Sequence, residues 1–353
     1  MRAALIWYND GATCDLTKFA KEWAKREDVP AKEVEHYKLL RNYAFAAYQS
    51  LSTMAEEVEK DHFIKTDSVN IFESLSTAAC HGFVAEDSTG ENIYVSFRGS
   101  TPEAKVTFFY DAMGWSTAWP GYEYISVHKG FLSVYSQCIE SYTAALDKAM
   151  ANSKAKTIYF LGHSLGGAVA NLAAFDYASV YKGKKTLPPR LVTFGSPPVG
   201  NREFVKQYNS RLIPSTLVTS GFDLVPNVHL MGTYFHVKKE IYILPGGKRT
   251  IQCIYDDVLF ANDPNCSPDL SMMNCSIADH SNYWGLIDFT PTILKISESS
   301  DPRLKGTLVK QPTDAQLEVL ESIGNVVELN DKTLESVVGV PEESSDIEYY
   351  VTS

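Results

Sequence analysis

Apolar positions recur along the chain with two different periods. Between about residues 15 and 60 the spacing is helical: in EHYKLLRNYAFAAYQSL, Tyr37, Leu40, Tyr43, Ala44, Ala47 and Tyr48 fall on one face. In CHGFVAEDSTGENIYVSFRGS two short apolar runs flank the turn-rich DSTGEN, which predicts two strands. VHKGFLSVYSQCIESYTAALDKAMA predicts a long helix, KTIYFL a buried strand and SLGGAVANLAAFDYASVY a second helix. RLVTFGSPPVGN, STLVTS, YFHVKKEIYIL and KRTIQCIY predict further strands, the last two joined as a hairpin at PGGK. Strands alternating with helices imply an α/β protein with a mostly parallel central sheet covered on both faces. From about residue 299 the pattern weakens. SSDPRLKG reads as a linker, DAQLEVLESIG as a short helix and PEESSDIEYYVTS as an acidic, flexible tail. The chain therefore divides into a globular domain over 1–298 and an acidic C-terminal extension over 299–353.

Composition narrows the possible partners. A chain of 353 residues, 44% hydrophobic, has ample surface to bury one large core. A net charge of −11 argues against binding a phosphate backbone, so no nucleic-acid partner is expected. No stretch approaches the roughly 20 apolar residues of a membrane span. The opening MRAALIWYNDG is too short in apolar residues for a signal-peptide core. Six cysteines (Cys14, Cys80, Cys138, Cys253, Cys266 and Cys275) allow up to three disulfides or a set of buried thiols. With no CxxC pair, no zinc or redox site is expected, and no other metal or cofactor is implied.

The stretch YFLGHSLGGAVA carries the chemistry. Gly162-His163-Ser164-Leu165-Gly166 fits G-x-S-x-G between a predicted strand and a predicted helix. A nucleophile on so tight a turn adopts strained backbone. Gly162 and Gly166 remove Cβ atoms that would collide with it, while Gly167 and Ala168 let the helix lie close to the strand. A serine hydroxyl needs a base within hydrogen-bond reach, and the base needs an orienting carboxylate. On this scaffold both follow the serine, acid before base. Asp223 follows the strand STLVTS, at the edge where sites form in open α/β sheets, and is the preferred acid over Asp176, Asp256, Asp257, Asp263 and Asp269. Asp176 is expected to face solvent from its helix. For the base, His280 in the late segment ADHSNYWG is preferred over His229 and His236, the latter lying inside a strand pattern. His163 neighbours the serine and is expected to line the pocket.

These motifs in order resemble the class 3 lipases, the group of the filamentous-fungal triacylglycerol lipases. The resemblance covers about residues 37 to 290, through NYAFAAY, VSFRGS, VHKGF, GHSLGGAVA, VTFGSPPVGNREF, DLVP, YFHVKKEIYI and DHSNYW. It implies an α/β-hydrolase fold, with Ser164 as nucleophile, Asp223 as orienter and His280 as base. Ser100, just after the Arg-Gly pair, and the N–H of Leu165 would form the oxyanion hole. Pro198 departs from the arginine that the family often has there. The resemblance also implies a lid over 101–120, where Phe108, Phe109, Met113, Trp115 and Trp119 form an apolar cluster that needs a cover or a lipid partner. Some members have a disulfide just upstream of the base, which implies a Cys266–Cys275 pair. Two N-x-S patterns, at Asn265 and Asn274, overlap it and favour a secretory compartment over the cytoplasm. The expected activity is acyl-enzyme hydrolysis of lipid esters at an oil–water or membrane surface by a monomer. Phospholipase and feruloyl-type carboxylesterase activities are alternatives, and a non-catalytic lipid-binding role is a third.

Overall fold

In a computed structural model the residues described are 16–49, 67–74, 80–100, 116–180, 186–227, 239–256 and 279–285, with a few shorter stretches between them. Phe108, Phe109, Met113, Trp115, His229, Cys14, Cys275 and the 299–353 extension lie outside the described residues.

One eight-stranded sheet organises the chain. Its strands are β1 (Asn70–Glu73), β2 (His81–Glu86), β3 (Asn92–Phe97), β6 (Thr157–His163), β7 (Pro189–Phe194), β8 (Ser215–Ser220), β9 (Glu240–Ile243) and β10 (Thr250–Gln252), in that spatial order. β3, β6, β7, β8 and β9 run parallel, with antiparallel pairs at both edges. A separate antiparallel pair joins β4 (Ser116–Ala118) to β5 (Ser126–His128). The β9–β10 hairpin turns at the predicted PGGK, where Gly246 and Gly247 take positive φ. The long segment YFHVKKEIYIL is strand only over Glu240–Ile243, with Phe235 making a single bridge to Gly200.

Alternation along the central strands supplies two cores, as a two-sided sheet requires. Ile93, Val95, Phe97, Ile158 and Phe160 face one; Tyr94, Leu161, Val192 and Phe194 face the other. The first core is closed by α3 (Lys129–Met150), α4 (Leu165–Val180) and α5 (Arg202–Ser210). The second is closed by α2 (Ala31–Ala46), whose Tyr37, Leu40, Tyr43 and Ala44 are the predicted stripe. α4 is buried all round from Ala168 to Phe175, and its small residues let it lie against the sheet. Phe175 at its centre meets Trp119, Phe204 and the Arg211 guanidinium, 4.0 Å over the ring. Truncating such a residue to alanine costs about 3–5 kcal/mol.

Three sequence expectations change here. Trp119, grouped with the apolar lid segment, is buried against Tyr135 and Phe175, because the β4–β5 ribbon folds it under α3 and α4. Asp176 does not simply face solvent: it is half-buried and accepts the Tyr135 hydroxyl at 2.7 Å, and burial raises its pKa. Cys266 pairs with Cys253 rather than with Cys275, and Cys80 pairs with Cys138. The Cys253–Cys266 bridge fastens a small satellite core in which Trp23, from α1 (Leu16–Ala24), donates its indole N–H to the Cys266 carbonyl at 2.8 Å.

Candidate active site

The parallel strands end at one edge of the sheet, and the chemistry gathers there. β6 stops at His163, α4 starts at Leu165, and Ser164 between them takes φ +59°. That left-handed backbone costs a non-glycine residue energy and persists only where the surroundings impose it. They do so through missing Cβ atoms. A Cβ on Gly162 would strike the backbone of Gly166, and one on Gly166 would strike the Phe97 carbonyl. A Cβ on Gly167 would come within 2.7 Å of Ser196 Cβ. The Ser164 N–H donates to the Phe194 carbonyl at 2.9 Å, which ties the turn to β7. Ser164 itself is buried at 4% exposure.

β8 delivers the acid. Asp223, three residues beyond its end, is 1% exposed. Its Oδ2 and Oδ1 lie 2.9 Å and 3.0 Å from His280 Nδ1. A carboxylate only accepts, so Nδ1 carries the proton and the neutral imidazole keeps Nε2 as its basic nitrogen. The Val225 N–H donates to Oδ1 at 2.8 Å, and the Tyr283 hydroxyl donates to Oδ2. Burial, then the Asp223 charge, pushes the Tyr283 pKa well above its usual value, so this hydroxyl stays a donor. His280 is buried in the short helical turn Asp279–Ser281.

His163 is fully buried. Its ring lies 4.4 Å from the His280 ring, and its Nε2–H donates to the His280 carbonyl at 2.7 Å. Its Nδ1 then accepts from the Tyr48 hydroxyl at 2.7 Å, and burial keeps that phenol protonated. The rim of α2 thus reaches the base through Tyr48 and His163. On the other side, Ser100 follows β3 and is 7% exposed. A Cβ on neighbouring Gly99 would lie 3.1 Å from Ser164 Cβ, so this strand end runs directly against the serine. Leu165 begins α4, where the first N–H groups of a helix lack intrahelical acceptors.

The structure therefore brings Asp223 and His280 into contact and sets Ser164, Leu165 and the Gly99–Ser100 strand end around one elbow. His236 lies elsewhere, donating to the Pro226 carbonyl at 2.8 Å. Tyr48, read from the sequence only as part of the helical stripe, and Tyr283 and Asp279 were not picked out as site residues. Each acts across 57 to 115 residues, and no local pattern announces such contacts. This set of groups can support nucleophilic attack by a serine oxygen, with proton transfer through an oriented imidazole.

The chain is similar to known proteins in sequence and in fold. The family described as Lipase (class 3) matches residues 94–232. The lipase of Rhizomucor miehei is 28% identical over 232 residues, 64% of this chain and 61% of that one. The secreted mono- and diacylglycerol lipase 1 of Fusarium solani is 30% identical over 233 residues, 62% of this chain and 66% of its own. The chain thus spans just under two thirds of the length of these relatives. Among solved structures, a triacylglycerol lipase whose catalytic centre is a serine protease triad superposes with a TM-score of 0.64 at 22% identity, over 74% of this chain and 98% of that one.

Proposed function

The chain belongs to the class 3 lipase family, and from that premise we propose that it hydrolyses lipid esters, as a triacylglycerol or smaller acylglycerol lipase. The observation that carries this reading is the Asp223–His280 contact at 2.9 Å beside a serine held at φ +59°. Ser164 is the nucleophile. His280 takes its proton as the serine oxygen attacks the ester carbon, and Asp223 holds the tautomer and stabilises the imidazolium. The oxyanion rests against Ser100 and the Leu165 N–H, donors worth about 3 kcal/mol of barrier each. His280 then gives its proton to the leaving alcohol, and water activated by the same imidazole releases the acyl group.

The acylglycerol preference is supported by the similarity to the mono- and diacylglycerol lipase of Fusarium solani, and the apolar sequence between Ser100 and Ser116 supports a substrate presented at an oil–water or membrane surface. Secretion is supported by the secreted Fusarium relative and by two disulfides, which persist in oxidising compartments. Among the described residues no helix is long and apolar enough to cross a membrane.

Ser164→Ala tests the assignment. Hydrolysis of a short-chain acylglycerol should fall by about 1,000-fold or more while the circular dichroism spectrum and melting temperature hold. Turnover within about tenfold of the parent would overturn it.

A further inference from the structure

We propose that Asp279 is a positioning residue that holds the turn carrying Asp223 against the turn carrying His280; this rests on the reading of those two residues as acid and base. The acid's turn runs from Ser220 to Asp223 and closes with the Asp223 N–H donating to the Ser220 carbonyl at 3.0 Å. Inside it the Phe222 N–H donates to Asp279 Oδ2 at 2.7 Å. Asp279 in turn opens the short helical turn that contains His280, with the Asn282 N–H donating to its carbonyl at 3.0 Å. One carboxylate, adjacent in sequence to the base, therefore fixes the amide adjacent in sequence to the acid.

The fit is tight enough to dictate sequence. Gly221 takes φ +50°, and a Cβ there would lie 2.5 Å from Asp279 Oδ2 and 2.9 Å from its Cγ. The Gly221 carbonyl accepts the Tyr242 hydroxyl at 2.8 Å and its N–H donates to Ile243 at 2.9 Å, so the turn is fixed to β9 and cannot back away. A second stitch, from the Ser220 hydroxyl to the Asn282 carbonyl at 2.6 Å, runs beside the first. Without the Asp279 acceptor, the Phe222 N–H loses a charge-assisted bond. The two turns then lose one of the ties that flank the Asp223–His280 contact, leaving the Ser220–Asn282 and Tyr283–Asp223 bonds. A small displacement there lowers the rate of proton transfer without changing how substrate binds.

The test uses the full-length protein and a soluble ester. Asp279→Ala should lower kcat by about tenfold or more with KM unchanged. Asp279→Asn, which keeps an acceptor oxygen, should recover to within about threefold of the parent. Asp279→Glu keeps the charge but displaces it and should lose kcat as alanine does, so a poorly folding alanine variant does not end the test. In an Asp223→Ala background, Asp279→Ala should add less than about twofold, because residues acting through one contact are not additive. Full kcat in Asp279→Ala or Asp279→Glu, or an equal loss in both backgrounds, overturns the proposal and leaves the acid–base reading standing. Unimpaired turnover by Asp223→Ala overturns that reading itself.

Discussion

The Ser164 elbow and the Asp223–His280 corner reach their geometry by opposite means. The elbow is local. Six residues from Gly162 to Gly167 set it, and what matters is the absence of side chains: each added Cβ would meet backbone or a buried neighbour. The corner is assembled from segments 57 to 62 residues apart, held by the Phe222–Asp279, Ser220–Asn282, Tyr283–Asp223 and His280–Asp223 bonds. Sterics make the elbow all-or-none. Several hydrogen bonds in parallel make the corner graded, since losing one leaves the others.

That contrast orders the expected effects. The largest falls on the elbow: Gly166→Ala drives a Cβ into the Phe97 carbonyl, backbone that cannot yield. Activity should fall by at least about 100-fold, or the protein should fail to accumulate in soluble form. Specific activity and soluble yield check this, and a well-behaved, active Gly166→Ala enzyme would mean the elbow is softer than its packing implies. An intermediate effect is expected at the corner. Tyr283→Phe removes one donor from Asp223 and leaves the Val225 N–H and His280. A hydrogen bond to a charged group contributes about 1.5–3 kcal/mol, so kcat should drop by about tenfold. A loss as deep as that of Gly166→Ala would make the corner as brittle as the elbow.

The smallest effect on activity lies outside both regions and separates stability from chemistry. His81 is 4% exposed and donates Nε2–H to the Ala47 carbonyl at 2.9 Å; burial, then the Arg98 charge, lowers its pKa from 6.5 to about 4. The unfolded chain therefore takes up a proton first. The stabilisation from neutral His81 is whole above pH 6.5 and is lost as pH falls toward 4, by roughly 3 kcal/mol at most. Urea midpoints measured across this window should fall with pH in the parent and fall less in His81→Gln. Equal slopes would rule out His81 as the source.

The same contrast explains what could be read from the sequence. The elbow was legible because its determinants are contiguous, and Asp223 and His280 because chain order and strand ends narrow the choice. The α2 stripe, the β2–β3 pair and the β9–β10 hairpin were legible through their periods and turns. β1 was passed over because four residues carry too little alternation to stand out. α5 was passed over as well, although Asn201 caps it by accepting the Phe204 N–H at 2.9 Å and Phe204, Val205 and Tyr208 form its buried face. The site roles of Tyr48, Asp279 and Tyr283 were invisible because each matters there only through a partner that the fold brings near. The Cys253–Cys266 pairing was missed for the same reason: Cys253 stands just beyond β10, and only the closed hairpin carries it to Cys266.

The central claim is that Ser164 is a nucleophile activated through His280 and Asp223. Labelling the folded protein with a fluorophosphonate and identifying the modified residue by mass spectrometry tests it most directly. One label per chain on Ser164 is predicted, with the labelling rate reduced by at least about 100-fold in His280→Ala. Labelling at another residue, or a hydrolytically active protein whose Ser164 stays unmodified, would contradict it.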